Sequence, residues 1–221
     1  MAEQASAALP HVSGGHVAEP GRRDFLTLVT GAFAGIGAIA LGWTFIDSMN
    51  PSADVLAAGA PIDVDVSRMD EGQQIVVLWR GKPILVVRRP AAALKSLQSP
   101  QVISLLSDPN STVDQQPGYA KNWHRSLQPE FAVLVGICTH LGCLPEYRPN
   151  PSATDPVPNW PGGYFCPCHG SKYDLAGRVW KDVPAPFNLP VPPYNFPKTG
   201  TLRIGENPTG QQFDLDSVVQ M

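Results

Sequence analysis

The chain has 221 residues, of which 43% are hydrophobic, and a formal net charge of −3. That length allows one modest globular domain with a smaller addition, and the acidic balance gives no reason to expect a nucleic-acid partner. The 24 prolines crowd the part of the chain after residue 100 and exceed the usual ~5%, which predicts a loop-rich second half.

Residues 1–21 are small, polar and without periodicity, and read as a disordered tail that includes His11 and His16. The segment 22–46 opens with Arg22-Arg23-Asp24-Phe25-Leu26. Twin arginines before an apolar run resemble a Tat export signal, and they also serve as topology anchors. Phe25–Ile46 is 22 residues without a charge, enough to cross a hydrocarbon core of roughly 30 Å as a helix. The run is longer than a cleaved signal's apolar region and no A-x-A-like site directly follows it, so it reads as an uncleaved anchor. Trp43 near its far end suits the interface, and Gly31-x-x-x-Gly35 offers a helix-packing face. Arg22 and Arg23 precede the run, and the next basic residue is Arg68. The bias puts the N-terminus in the cytoplasm and the rest outside it.

Residues 47–60 have no strong periodicity and read as a tether, with a helical turn expected near Asp54–Ala58. From Pro61 the pattern is β. Ile62–Val66 alternates with period 2. Gln74–Trp79 and Pro83–Arg88 flank Arg80-Gly81-Lys82 as a hairpin. Ala91–Gln98 suits a short helix. Residues 99–129 hold prolines 100, 109, 117 and 129 and read as a surface insertion with a short helix near Val102–Leu106. His124 there reads as a surface histidine. Phe131–Ile137 is an apolar strand, and Pro145–Gly163 a proline-rich loop. Ser171–Asp174 and Arg178–Trp180 form a hairpin around Leu175-Ala176-Gly177. Val191–Phe196, Thr201–Ile204 and Gln212–Asp216 are expected strands.

Two boxes hold all four cysteines and two of the five histidines: Cys138-Thr139-His140-Leu141-Gly142-Cys143 and Cys166-Pro167-Cys168-His169-Gly170-Ser171. Two disulfides would allow three pairings but give His140 and His169 no reason to sit inside the boxes. A structural zinc site takes two cysteines and two histidines, usually as a Cys pair followed by a His pair. Here each box supplies a mixed arm, Cys138-x-His140 and Cys166-x-x-His169. Two matched mixed arms suit a binuclear centre.

The two boxes resemble those of the Rieske iron–sulfur proteins of cytochrome bc complexes. The resemblance implies an all-β fold, an antiparallel base (61–221) with a small cluster-binding β subdomain at about 137–187, attached to one N-terminal transmembrane helix by a flexible neck at 47–60. It implies one 2Fe–2S cluster, with Cys138 and Cys166 on the inner iron and His140 and His169 on the outer. Cys143 and Cys168 would form a disulfide. Ser171 would donate to a bridging sulfide and Tyr173 to the Cys138 sulfur. Read alone, Ser171 is a turn residue and Tyr173 a half-buried strand aromatic. Val183-Pro184-Ala185-Pro186-Phe187 matches the family's proline loop, expected against the cluster loops.

Replacing two thiolates by neutral imidazoles makes the oxidised centre formally neutral and raises its potential. The implied function is an electron-transfer subunit of a quinol–cytochrome c oxidoreductase, active within the complex. The cluster takes an electron from ubiquinol while a ligand histidine takes a proton, then passes the electron to a c-type cytochrome. His169, with His140 as second candidate, would meet the quinol hydroxyl, and Leu141 would contact the quinol site. Implied partners are cytochrome b, a c-type cytochrome, ubiquinol and membrane lipid in a dimeric complex. The implied place is a bacterial inner membrane with the cluster domain periplasmic. The alternatives are the small Rieske subunit of an arsenite oxidase-type or oxygenase system, and a structural zinc module.

Overall fold

The computed structural model describes residues 21–53, 59–152 and 154–219. The expected turn at Asp54–Ala58, and the tail with His11 and His16, lie outside them. The chain divides into two units at Ser52 and Ala53.

The first unit is helix α1, Arg22–Ser48. Asp24 accepts the Gly21 amide at 3.1 Å and places a carboxylate at the positive end of the helix. None of its residues is buried, and Phe25, Phe33, Ile39 and Phe45 are exposed around it. A helix that is apolar all round belongs in a membrane or a large core. At 27 residues it is long and apolar enough to cross a bilayer, spanning roughly 40 Å.

The second unit holds three three-stranded antiparallel sheets. Strands β1 (Ile62–Asp65), β9 (Thr201–Ile204) and β8 (Tyr194–Lys198) form one, in that order. Strands β2 (Gln74–Trp79), β3 (Lys82–Arg88) and β4 (Phe131–Val135) form the second. Arg80 and Gly81, at φ of 51° and 71°, make the two-residue turn between β2 and β3, the left-handed geometry that matches strand twist. Ile84, Leu85, Val86 and Val87 are all fully buried. A central strand covered on both faces reads as a continuous apolar run, and each such side chain contributes about 1.5–3 kcal/mol by burial.

The third sheet, β5 (Glu146–Arg148), β6 (Gly163–Phe165) and β7 (Lys172–Tyr173), is small and carries the boxes. The first box lies between β4 and β5, the second between β6 and β7. Helices α2 (Ala91–Leu97) and α3 (Pro100–Leu105) follow β3. Ser99 caps α3, its hydroxyl accepting the Val102 amide. Ala93 and Leu97 of α2 pack on Leu175 and Ala176.

Three expectations are corrected. Glu146–Arg148 is a strand inside the expected Pro145–Gly163 loop, held in register with β6. Gln212–Asp216 is no strand: Asp214 accepts the Asp216 amide and starts a 3₁₀ turn at Leu215–Ser217. The segment 99–129 is not a surface insertion. Its Ser111, Gln115, Gln116, Arg125 and Ser126 are buried, and His124 is half-buried, its Nδ1 2.8 Å from Ser126 Oγ. By contrast, the hairpin expected around Leu175-Ala176-Gly177 is present: the Asp174 amide donates to Arg178 O at 2.9 Å, the Trp180 amide to Lys172 O at 3.0 Å, and Tyr173 bridges Val179.

Candidate metal centre

The two boxes fold into loops of the same build. The Cys138 amide donates to Cys143 O at 2.8 Å, and the Gly142 amide to Cys138 O at 2.9 Å. In the second box the Cys166 amide donates to Ser171 O at 2.8 Å, and the Gly170 amide to Cys166 O at 2.9 Å. Gly142 and Gly170 both sit at left-handed φ, 83° and 79°, where a side chain is strained. Each loop therefore aims its first cysteine inward and its tip outward.

Cys143 and Cys168 are joined in a disulfide, with Cα atoms 6.7 Å apart across 25 residues of sequence, so the expected pairing is present. Cys138 and Cys166 are free and each is 2% exposed. Their thiols adjoin; burial and the Cys138 neighbour push the Cys166 thiol up. The rings of His140 and His169 stand edge to face with centroids 4.8 Å apart. His140 is half-buried and His169 exposed. Leu141 is 70% exposed at the tip, as expected.

The sulfurs of Cys143, Cys166 and Cys168 lie within 4.8 Å of one another, but two of them are consumed by the disulfide and are no thiolate donors. The donor set left is two buried thiols and two imidazoles nearer solvent. That set fits a 2Fe–2S centre with mixed ligation.

Two buried hydroxyls fit it as well. Tyr173 Oη lies 3.2 Å from Cys138 Sγ and accepts the Thr139 amide at 3.2 Å. Burial holds this phenol well above its usual range, with Cys138 adding to the effect, so it stays a donor. Ser171 Oγ accepts the Ala185 amide at 3.0 Å, and among the described residues its own proton has no acceptor. The proline loop therefore braces the second box through Ala185. It also braces the first: Thr139 Oγ1 donates to Phe187 O at 2.7 Å. Thr139 has no legible role in the sequence, because a lone threonine inside a box carries no pattern of its own.

The second unit's sequence from residue 60 to 193 matches the family described as the Rieske [2Fe-2S] domain. Residues 12–52 match one described as the ubiquitinol-cytochrome C reductase Fe-S subunit TAT signal. A ubiquinol-cytochrome c reductase iron-sulfur subunit of Allochromatium vinosum is 47% identical over 188 residues, covering 84% of this chain and 89% of its own. Its counterpart in Blastochloris viridis is 45% identical over 188 residues, covering 85% and 94%. Among solved structures, a chain titled "Hyperthermophilic respiratory Complex III" aligns over 80% of this chain and 98% of its own, at 24% identity and a TM-score of 0.46.

Proposed function

Because the chain belongs to the Rieske iron–sulfur family, among the ubiquinol–cytochrome c reductase iron–sulfur subunits, we propose that it carries electrons from ubiquinol to a c-type cytochrome within a quinol–cytochrome c oxidoreductase. The observation that carries this reading is the donor set, two buried thiols behind two imidazoles at one exposed tip. When bound, a 2Fe–2S centre with this ligation supplies a one-electron acceptor in the range of roughly −150 to +300 mV.

The chain's own residues divide the work. Cys138 and Cys166 would hold one iron of the centre, and His140 and His169 the other. His169, the exposed imidazole, would meet the quinol hydroxyl; with one ring nitrogen on iron, the other could accept the quinol proton only after giving up its own N–H to solvent, with His140 as second candidate. Leu141 covers this contact and keeps water out. Tyr173 donates to the Cys138 sulfur and Ser171 towards the sulfide of the centre, which favours the reduced form.

Helix α1 anchors the subunit in a membrane. Arg22 and Arg23 before it support an N-terminus on the cytoplasmic side of a bacterial inner membrane, with the iron–sulfur unit periplasmic. Cytochrome b, a c-type cytochrome and lipid are its partners in a dimeric complex.

The test is low-temperature EPR of the membrane-bound chain reduced with ascorbate. A rhombic 2Fe–2S signal already present with this mild reductant is expected. A signal seen only with a much stronger reductant would point to a low-potential electron-delivery domain, and zinc without a signal would end the redox assignment.

A further inference from the structure

Three arginines and one aspartate are the charged residues buried among those described: Arg89, Arg125, Arg178 and Asp174. All four meet at one turn. Asp174 Oδ1 accepts the amides of Ala176 and Arg178, and its Oδ2 takes Arg178 Nε at 2.7 Å. Arg125 Nη1 reaches Ala176 O at 3.0 Å and Gly177 O at 3.4 Å, while its Nη2 reaches Gln116 Oε1 at 2.9 Å. Arg89 Nη1 reaches Leu175 O at 3.5 Å, and its remaining donors go to Pro129 O, His124 O, Ser126 Oγ and Phe131 O. Asp174 is the one carboxylate bonded to these guanidiniums, Asp108 attracts Arg125 without bonding it, and the other acceptors are neutral, so positive charge remains in excess.

The turn begins at the residue after Tyr173, whose hydroxyl lies 3.2 Å from Cys138 Sγ. Tyr173 in turn pairs with Tyr164 of β6. The excess positive charge therefore gathers at the turn that directly follows β7, whose Tyr173 reaches the first box. A buried guanidinium is costly unless fully bonded, yet Arg125 Nε is buried without a partner. Arginine stays protonated in proteins, and a charge held away from water is screened little by salt.

We propose that the excess charge of Arg89, Arg125 and Arg178 over Asp174 favours the reduced state of the iron–sulfur centre and raises its midpoint potential. An added electron is attracted by cations fixed behind the site, and they need no rearrangement when it arrives. The arginines touch neither ligand nor substrate; they are positioning residues acting through space. The inference rests on the centre assigned above.

The experiment measures EPR-monitored midpoints at fixed pH in the membrane-bound chain carrying Arg125→Gln, Arg125→Lys or Asp174→Asn. Loss of a positive charge in Arg125→Gln should lower the midpoint. Arg125→Lys keeps the charge and should restore it towards the unsubstituted value. Asp174→Asn removes the negative charge and should raise it. A purely structural role would not give shifts of opposite sign. Unchanged midpoints, or shifts in the same direction, overturn the proposal. If Arg125→Gln fails to hold the centre, Asp174→Asn decides alone; loss of the centre from both makes the set structural and also overturns it. A missing 2Fe–2S signal in the unsubstituted chain overturns the assignment of the centre itself, a distinct failure.

Discussion

Tyr173 Oη and Cys138 Sγ are 3.2 Å apart, although 35 residues of sequence separate them. The contact joins β7 to the first box and aims a buried proton donor at a thiolate position. A hydrogen bond to a sulfur that gains electron density strengthens on reduction, so it raises the potential. A difference of about 1 kcal/mol between the two states is roughly 40 mV for a one-electron couple. Tyr173→Phe and Ser171→Ala are each expected to lower the midpoint by that order with the centre still bound. An unchanged midpoint in both would remove them from the site.

The disulfide acts on retention instead. Cys168 lies between Cys166 and His169, and its bond to Cys143 ties one ligand loop to the other. Cross-links of this kind are typically worth about 2–4 kcal/mol. Cys143→Ser and Cys168→Ser should both shorten the time for which iron stays bound on warming, followed by loss of visible absorbance. Retention equal to that of the unsubstituted chain in both variants would refute this role.

The candidate donor set was legible because it is local: each box is six contiguous residues, and no long-range information is needed to find it. Ile62–Asp65 and the β2–β3 hairpin were legible for the same reason, through alternation and a two-residue turn. The strand Glu146–Arg148 was hidden by its length, since three residues in a proline-rich stretch establish no period. Gln212–Asp216 alternates but has no partner strand, and the Asp214 carboxylate supplies a competing local bond. Beyond the short helix expected near Val102–Leu106 and found at Pro100–Leu105, the segment 99–129 defeated pattern reading. Its contribution is side chain to backbone, as in Arg125 with Ala176 across 51 positions, and no periodicity encodes such a bond.

Two kinds of glycine predict two outcomes. Gly142 and Gly170 are left-handed, but a Cβ on either meets nothing within 4 Å. Alanine there should cost about 1–2 kcal/mol of backbone strain while the loop still closes. Gly163 is different: at φ 154° its Cβ would fall on the Tyr173 carbonyl oxygen, between β6 and β7. Gly163→Ala should separate those strands and abolish iron binding. Denaturation midpoints and iron content measured side by side check this, and a Gly163→Ala chain that holds iron normally would contradict the packing.

His124 predicts an acid limb to stability. Burial, reinforced by Arg89, pulls its pKa down to about 4 from the ordinary 6.5. The imidazole is thus neutral in the folded chain at pH values where the unfolded chain already protonates it. The folded state then binds fewer protons, so stability falls as pH falls. The loss begins near 6.5, runs through about 4, and levels below it; above 6.5 the contribution is complete. The ring is only half-buried, so solvent keeps the loss to about 1 kcal/mol. Urea midpoints between pH 7.5 and 4 should show the decline in the parent chain and a shallower one in His124→Gln, which cannot titrate. Equal slopes in the two chains would assign the acid limb to other groups.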